Sequence, residues 1–317
     1  MKYRRLGKTG IEVSALSFGA SSLGSVFREV KEEACMRTVH TALDQGINFI
    51  DVSPYYGLTQ AETMLGKAIK TIPRDRYYLS TKAGRYGADV FDFSKQRIIS
   101  SLEDSLRRLH TDYVDILFLH DIEFVPAAII LEEALPALEQ LKQEGKIRFK
   151  GICGLPLELF EAMLPQIEVD AIISYCHYSL NDSSLVNLLP FIEQYNIGLV
   201  NASPLSMGLL SIDGVPDWHP APDEVKRVCK QAAQYCAEHG ELIAKLAIQY
   251  STANERIPTT LVSTANPDNI RNNIAYMNEP VNHELMEAVL EILKPVANQT
   301  WVSGRPEYNQ KIMGSGA

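Results

Sequence analysis

Long apolar runs are missing from this chain of 317 residues. None approaches the roughly 18 residues that a membrane-spanning helix needs, so no membrane partner is expected. The start, MKYRRLGKTG, has basic residues with no apolar stretch behind them, so no secretory signal is expected. Cysteine is scarce: five residues, an odd number, with no C-x-x-C pair. Reduced thiols in a cytoplasmic protein are the expected outcome. The seven histidines show neither H-E-x-x-H nor H-x-E spacing, and no metal is expected. Positive charge is also short. Thirty Lys and Arg stand against 39 Asp and Glu, a net charge of −9, which argues against a nucleic-acid partner. No Gly/Ser/Pro-rich linker divides the chain, so one domain spanning residues 1–317 is expected.

What is present is alternation. Short runs rich in β-branched residues recur at Val13–Phe18, Asn48–Asp51, Tyr78–Thr81, Val114–Leu119, Phe149–Cys153, Ala171–Ser174, Gly198–Asn201 and Thr260–Val262. Between them lie segments of helical period: Lys31–Gln45, Gln60–Ile69, Ser94–Leu109, Leu131–Glu144, Pro156–Leu164, Ser184–Gln194, Pro222–Glu238 and Pro267–Tyr276. Ser94 reads as an N-cap and Gly145 as a C-terminal stop. Eight strand–helix units predict a closed (β/α)8 barrel. Lys2–Gly10 reads as a small hairpin across the barrel bottom, and Glu284–Ala317 as a C-terminal extension.

In such a barrel the chemistry sits at the C-terminal ends of the strands. Three consecutive apolar runs end in ionisable residues: Asp51 in FIDVSPYYG, Lys82 in LSTKAG and His120 in LFLHD. A buried carboxylate and ammonium are costly alone and tolerable as a pair. A tyrosine after Asp51, Tyr55 or Tyr56, could reach the same centre. The ordinary tyrosine pKa, about 10, is too high for acid/base work near neutrality, and a neighbouring ammonium should lower it. Asp51 would hold Lys82, and His120 would orient a substrate oxygen.

FIDVSPYYG, LSTKAG, VDILFLHD and GLVNASPLSMGLL resemble the aldo-keto reductase superfamily, and the likeness runs from RRLGKTGIEVSALSFGA through ANPDNIRNN. The resemblance implies a tetrad of Asp51, Tyr56, Lys82 and His120; the family's five-residue interval between Asp and Tyr selects Tyr56. It implies hydride transfer between a nicotinamide cofactor and a carbonyl or alcohol carbon, with no Rossmann G-x-G-x-x-G, which this chain lacks. Cofactor positions implied by the family are Gly19, Asp51, Cys153, Gly154, Tyr175, Ser203, Pro204, Leu205, Met207, Gly208, Leu209, Ser263, Thr264, Asn269 and Asn273.

Several of these depart from the family pattern. The Gly-x-Ser-Asn motif that holds the carboxamide is Gly151-Ile152-Cys153-Gly154-Leu155-Pro156 here, and the usual Gln falls at Tyr175. The Tyr that stacks on the nicotinamide is replaced by Ala202, so Tyr175 is expected to compensate. The Lys and Arg that hold the NADP 2′-phosphate fall at Ser263 and Asn269, so NAD is expected over NADP, with Arg271 nearby.

GICGLPLE, SYCHYSLND and PVANQTWVSGRPEYN are similar to the L-galactose dehydrogenases and related bacterial dehydrogenases of L-fucose-like sugars. That subgroup implies oxidation of an aldose at C1 to its lactone. Tyr56, His120, His177, Trp218, His219, Trp301 and Arg305 are the candidate contacts to the sugar. Competing readings are an NADPH-dependent carbonyl reductase of broad specificity and a nucleotide-sensing regulatory subunit. A monomer or small homo-oligomer is expected.

Overall fold

The computed structural model describes residues 1–26, 28–305 and 307–308; residues 309–317 of the expected C-terminal extension lie outside the described residues. The strands among them are β1 (Tyr3–Arg5), β2 (Glu12–Ser14), β3 (Leu16–Gly19), β4 (Phe49–Asp51), β5 (Tyr78–Ala83), β6 (Val114–His120), β7 (Ile147–Gly154), β8 (Ala171–Tyr175), β9 (Gly198–Ala202) and β10 (Thr259–Ser263). Strands β3 to β10 run parallel and close into a barrel, β10 pairing back onto β3. Helices surround it, as the alternation predicts. Among the described residues no helix is long and apolar enough to cross a membrane.

The first strand departs from expectation. Val13–Phe18 reads as one apolar run, yet it serves two sheets. Glu12–Ser14 pairs antiparallel with Tyr3–Arg5, and only Leu16–Gly19 enters the barrel. The exchange occurs at Ala15, whose N–H donates to Lys2 O while its own carbonyl accepts from Thr260 N. Both halves are buried, so hydropathy could not separate them.

A hairpin does close the barrel bottom, but Lys2–Gly10 supplies only its first strand and the start of its connection; the second strand is Glu12–Ser14. Leu6, Ile11 and Val13 join the barrel interior formed by Phe49, Ile116, Phe118, Ile173, Val200 and Leu261. Gly7 is required there: its φ is +49, and a Cβ would stand 2.3 Å from the backbone nitrogen of Gly198.

Side chains alternate along β5, so Leu79 and Thr81 face the helices while Ser80 and Lys82 face inward. Outside, buried Glu62 accepts Thr81 Oγ1 at 2.6 Å and Arg108 Nε at 2.7 Å. Truncating Glu62 would leave both donors unpaired. Glu62→Ala is expected to cost about 2–3 kcal/mol, read as a lower urea midpoint at unchanged slope.

Two further local readings need correction. Ser94 stands at the N-cap of Lys95–Leu109 but makes no side-chain cap; Glu133 Oε2 accepts the Lys95 N–H at 2.9 Å instead. Between β9 and β10 two helices occur, Asp223–Glu238 and Ile243–Ala253, of which only the first was expected. Ile243, Leu246 and Ala247 join an outer core with Val225, Cys229, Leu285 and Val289, while Ile248 joins the barrel's own core. A helix buried on two sides has no clean polar stripe, which is why its period was obscure.

Candidate active site

Asp51 is the last residue of β4, Lys82 the fifth of β5 and His120 the last of β6. The register sets Asp51 beside Ser80, and Lys82 lies two residues on along the same inner face. Lys82 Nζ donates to Asp51 Oδ2, and Ser80 Oγ donates to Asp51 Oδ1 at 2.7 Å. The same ammonium donates to Val52 O and to Tyr56 Oη, each at 3.2 Å. Its three hydrogens thus have three acceptors in a site where the lysine is only 2% exposed.

Tyr56 arrives on a strained turn. Gly57, Leu58 and Thr59 have φ of +59, +49 and +79, a costly run for residues with side chains. A Cβ on Gly57 would fall 2.0 Å from Gly24 O, so only glycine lets this turn seat against residues 21–24. The turn is closed by Tyr56 N to Ser53 O at 3.1 Å and Thr59 N to Pro54 O at 2.8 Å. Tyr56 and His120 face each other edge-on, with ring centroids 5.8 Å apart.

Burial dominates the electrostatics. It works against the Lys82 ammonium, but Asp51, with smaller help from Tyr56 and Cys153, outweighs it and holds Lys82 charged above its ordinary range. Burial also pushes the Tyr56 phenol up; Lys82 pulls it back without cancelling the effect, and Asp51 and Cys153 push the same way as burial. The expected lowering of Tyr56 is therefore corrected: the ammonium does lower it, but desolvation is larger. Burial drives His120 down to about 3, against Asp121 and helped by Lys82 and Arg85, so its imidazole is neutral near pH 7.

Two further polar groups beside the tetrad, Arg85 and Asp121, went unnoticed in the sequence. Arg85 Nη1 bonds Asp121 Oδ2, and Arg85 Nη2 donates to Tyr55 Oη at 3.0 Å. Tyr175 Oη donates to Asp121 Oδ1 at 3.3 Å. Asp121, in left-handed backbone at φ +55, follows His120 directly. The available signal was a cation and an anion placed just beyond two neighbouring strand ends.

Two adjoining cavities open over the tetrad. One, about 670 Å³, is lined by Tyr56, Lys82, His120, Arg85, Asp121 and Tyr175, together with Cys153, Trp218 and Trp301. The other, about 620 Å³, shares Asp51, Tyr56, Ala202 and Ser203 with it. It extends over Gly19, Pro204, Leu205, Met207, Gly208, Ser263, Thr264 and Asn269. Its wall contains Ser203, Met207 and Gly208 at φ +59, +56 and +107, a clustering of strain common at ligand sites. The recess is thus lined from Asp51 and Tyr56 of the tetrad as far as Asn269.

Other sequence candidates fall elsewhere. Gly154 faces Glu123 and Leu159, Leu209 packs in the outer core, and Asn273 lines neither cavity. His177 lines a separate cavity of about 350 Å³, with Trp301 between the two. His219 is buried, its Nε2 3.1 Å from Ser206 O, beneath Trp218 and Trp301. Arg305 is tied through its backbone N–H to Glu123 O at 3.2 Å, and its side chain lines neither cavity over the tetrad. His120, Asp121 and Cys153 bring ligand-type atoms within 4.8 Å of one another. Asp121 is already engaged by Arg85 and Tyr175, and His120 Nδ1 by Ser53.

Comparison with known proteins agrees with this geometry. The family model described as Aldo/keto reductase family matches residues 15–294. L-galactose dehydrogenase of Arabidopsis thaliana is 48% identical over 96% of this chain and 98% of its own length. D-arabinose 1-dehydrogenase of Saccharomyces cerevisiae is 35% identical over 75% of each chain. Among solved structures, the holo form of an aldo-keto reductase from Bacillus halodurans superposes with a TM-score of 0.77, at 27% identity and covering 98% of this chain and 99% of that one.

Proposed function

Because the chain belongs to the aldo/keto reductase family, an oxidoreductase family that uses nicotinamide cofactors, we propose that it oxidises an aldose at C1 to the lactone with NAD. The sugar is of the L-galactose or L-fucose type. The observation that carries this reading is the meeting of Lys82 with Asp51 and Tyr56 at the floor of a cavity walled by hydroxyl-binding groups. Likeness to L-galactose and D-arabinose dehydrogenases supports the substrate class.

Tyr56, as the phenolate that Lys82 stabilises, acts as the base on the anomeric hydroxyl and leaves the step as the neutral phenol. The O–H proton passes to Tyr56 Oη, the C1–H bond breaks with its electron pair, and the lactone C=O forms. The acceptor for that hydride would be supplied by oxidised nicotinamide held along the recess of Ser203, Met207, Ser263 and Asn269. His120 donates to the sugar oxygen and aligns it. Asp121 and Arg85 offer an acceptor and a donor fork to the remaining hydroxyls, with Trp218 and Trp301 against the ring's apolar face. Tyr175 is the register partner of Ala202 on the neighbouring strand, and it would supply the aromatic surface for the nicotinamide that Ala202 cannot.

Incubation with a suitable aldose and NAD should give lactone and NADH in equal amounts. NADH without lactone would place oxidation at another carbon. Since the active base is a phenolate whose pKa burial raises, oxidation should speed up as pH rises from 7 to 10, while carbonyl reduction, which uses the phenol, should stay level. A flat profile in both directions would remove Tyr56 from the rate-limiting proton transfer.

NAD preference rests on the far end of the recess. Ser263 Oγ is engaged by Ser21 Oγ and Ser22 N, at 2.8 and 2.9 Å, and Asn269 Nδ2 donates to Thr264 Oγ1 at 3.2 Å. Arg271 pairs with Asp268 at 2.7 Å and does not line the recess. Neither Ser263 nor Asn269 offers a 2′-phosphate a guanidinium fork, and the arginine that does line the recess is the exposed Arg28. The kcat/KM for NAD should exceed that for NADP by at least about tenfold, a gap of roughly 1.4 kcal/mol. Equal values, or a preference for NADP, would contradict the assignment.

A further inference from the structure

Ser53 is fully buried between Asp51 and Tyr56. Its Oγ accepts the N–H of Tyr55 at 3.1 Å and lies 3.0 Å from Nδ1 of His120. A serine hydroxyl has one proton and two lone pairs. Tyr55 occupies one lone pair. Were Nδ1 to carry the imidazole proton, it would occupy the other, and the hydroxyl proton would have no acceptor in a buried site. With Nδ1 bare, the hydroxyl donates to it and every polar atom of the group is satisfied.

We infer that Ser53 is a positioning residue that fixes neutral His120 in its Nε2–H tautomer, so that the ring presents a donor to the substrate cavity. His120 lines that cavity, and its Nε2 lies 3.7 Å from Asp121 Oδ2, too far for a strong hydrogen bond. The Nε2–H therefore remains available to a substrate oxygen. The tautomer also assigns roles. A nitrogen that already bears its proton cannot act as the base, so the proton leaving the substrate must go to Tyr56. This consequence rests on the proposed reaction; the tautomer itself does not.

The direct test is the nitrogen spectrum of the histidine-labelled enzyme with no ligand added. Two-bond proton–nitrogen correlations should show His120 with a bare Nδ1 and a protonated Nε2. A protonated Nδ1 would overturn the inference. In Ser53→Ala the Nδ1 loses its donor, so a mixture of tautomers should replace the single form, and kcat should fall about 10- to 100-fold with a smaller change in KM. Ser53→Thr keeps the hydroxyl and should keep the single tautomer and most of kcat. An alanine variant with both the parent spectrum and the parent kcat would equally overturn it. If the expected spectrum is found and no aldose is oxidised, the proposed reaction fails while this inference stands. If aldoses are oxidised and Nδ1 is protonated, the reverse holds.

Discussion

Replacing Tyr56 by phenylalanine should lower kcat for aldose oxidation by about a thousandfold, within the usual range for loss of a positioned acid or base. The change deletes one oxygen. Lys82 keeps two of its three acceptors, Asp51 and Val52, so the ion pair and the fold should persist. Much of the recess proposed for the cofactor is built from residues 203–208 and 263–269, so NAD affinity should stay within about threefold of the parent. Fluorescence titration with NADH alongside steady-state kinetics separates the two effects. Turnover unchanged by the substitution would remove Tyr56 from the mechanism. Turnover and cofactor binding lost together would recast it as a structural residue.

Lys82→Met should be nearly as damaging to turnover, about 100- to 1,000-fold, because the phenolate loses its neighbouring positive charge. Its second effect is on stability. In the parent, burial pushes Asp51 up while Lys82 and Ser80 oppose it. Without the ammonium that opposition shrinks, and Asp51 takes up a proton in the folded state over a wider pH range. A carboxyl raised above its unfolded value contributes stability at low pH that is lost as pH rises towards its folded value. The parent lysine, raised above its own unfolded value, keeps its contribution throughout neutrality and loses it only in strong alkali. The stability deficit of Lys82→Met should therefore widen from pH 5 to pH 8, by at most about 1.4 kcal/mol per pH unit. Urea midpoints of parent and variant across that interval measure it. A constant difference would mean that the two groups are not coupled as an ion pair.

Much of this architecture was legible because parallel strands buried on both faces print as short apolar runs, and their C-terminal ends print as interruptions. Asp51, Lys82 and His120 stood out for that reason: each is an ionisable residue closing or directly following such a run. The split at Ala15 was not legible, because hairpin and barrel bury the same kind of residue. Ile243–Ala253 was hidden by its position between two cores. The sign of the Tyr56 shift was misjudged because spacing reveals the neighbouring ammonium but not the depth of burial. Arg85 and Asp121 were missed because a charged residue in a loop is ordinarily solvated; only the fold brings them together over the cavity. His177 was drawn in by its closeness to the sixth barrel strand, yet the chain past β8 turns it into a different recess.

The central claim is that this barrel oxidises sugars rather than reducing aldehydes at large. The most direct measurement is the initial rate of NAD reduction with a panel of L- and D-aldoses, including L-galactose, L-fucose and D-arabinose, beside NADPH oxidation with simple aldehydes. The account predicts rapid NADH formation with at least one aldose that shares a hydroxyl pattern with L-galactose, and slow turnover of the simple aldehydes. No activity with any aldose, together with efficient NADPH-dependent reduction of simple aldehydes, would contradict it.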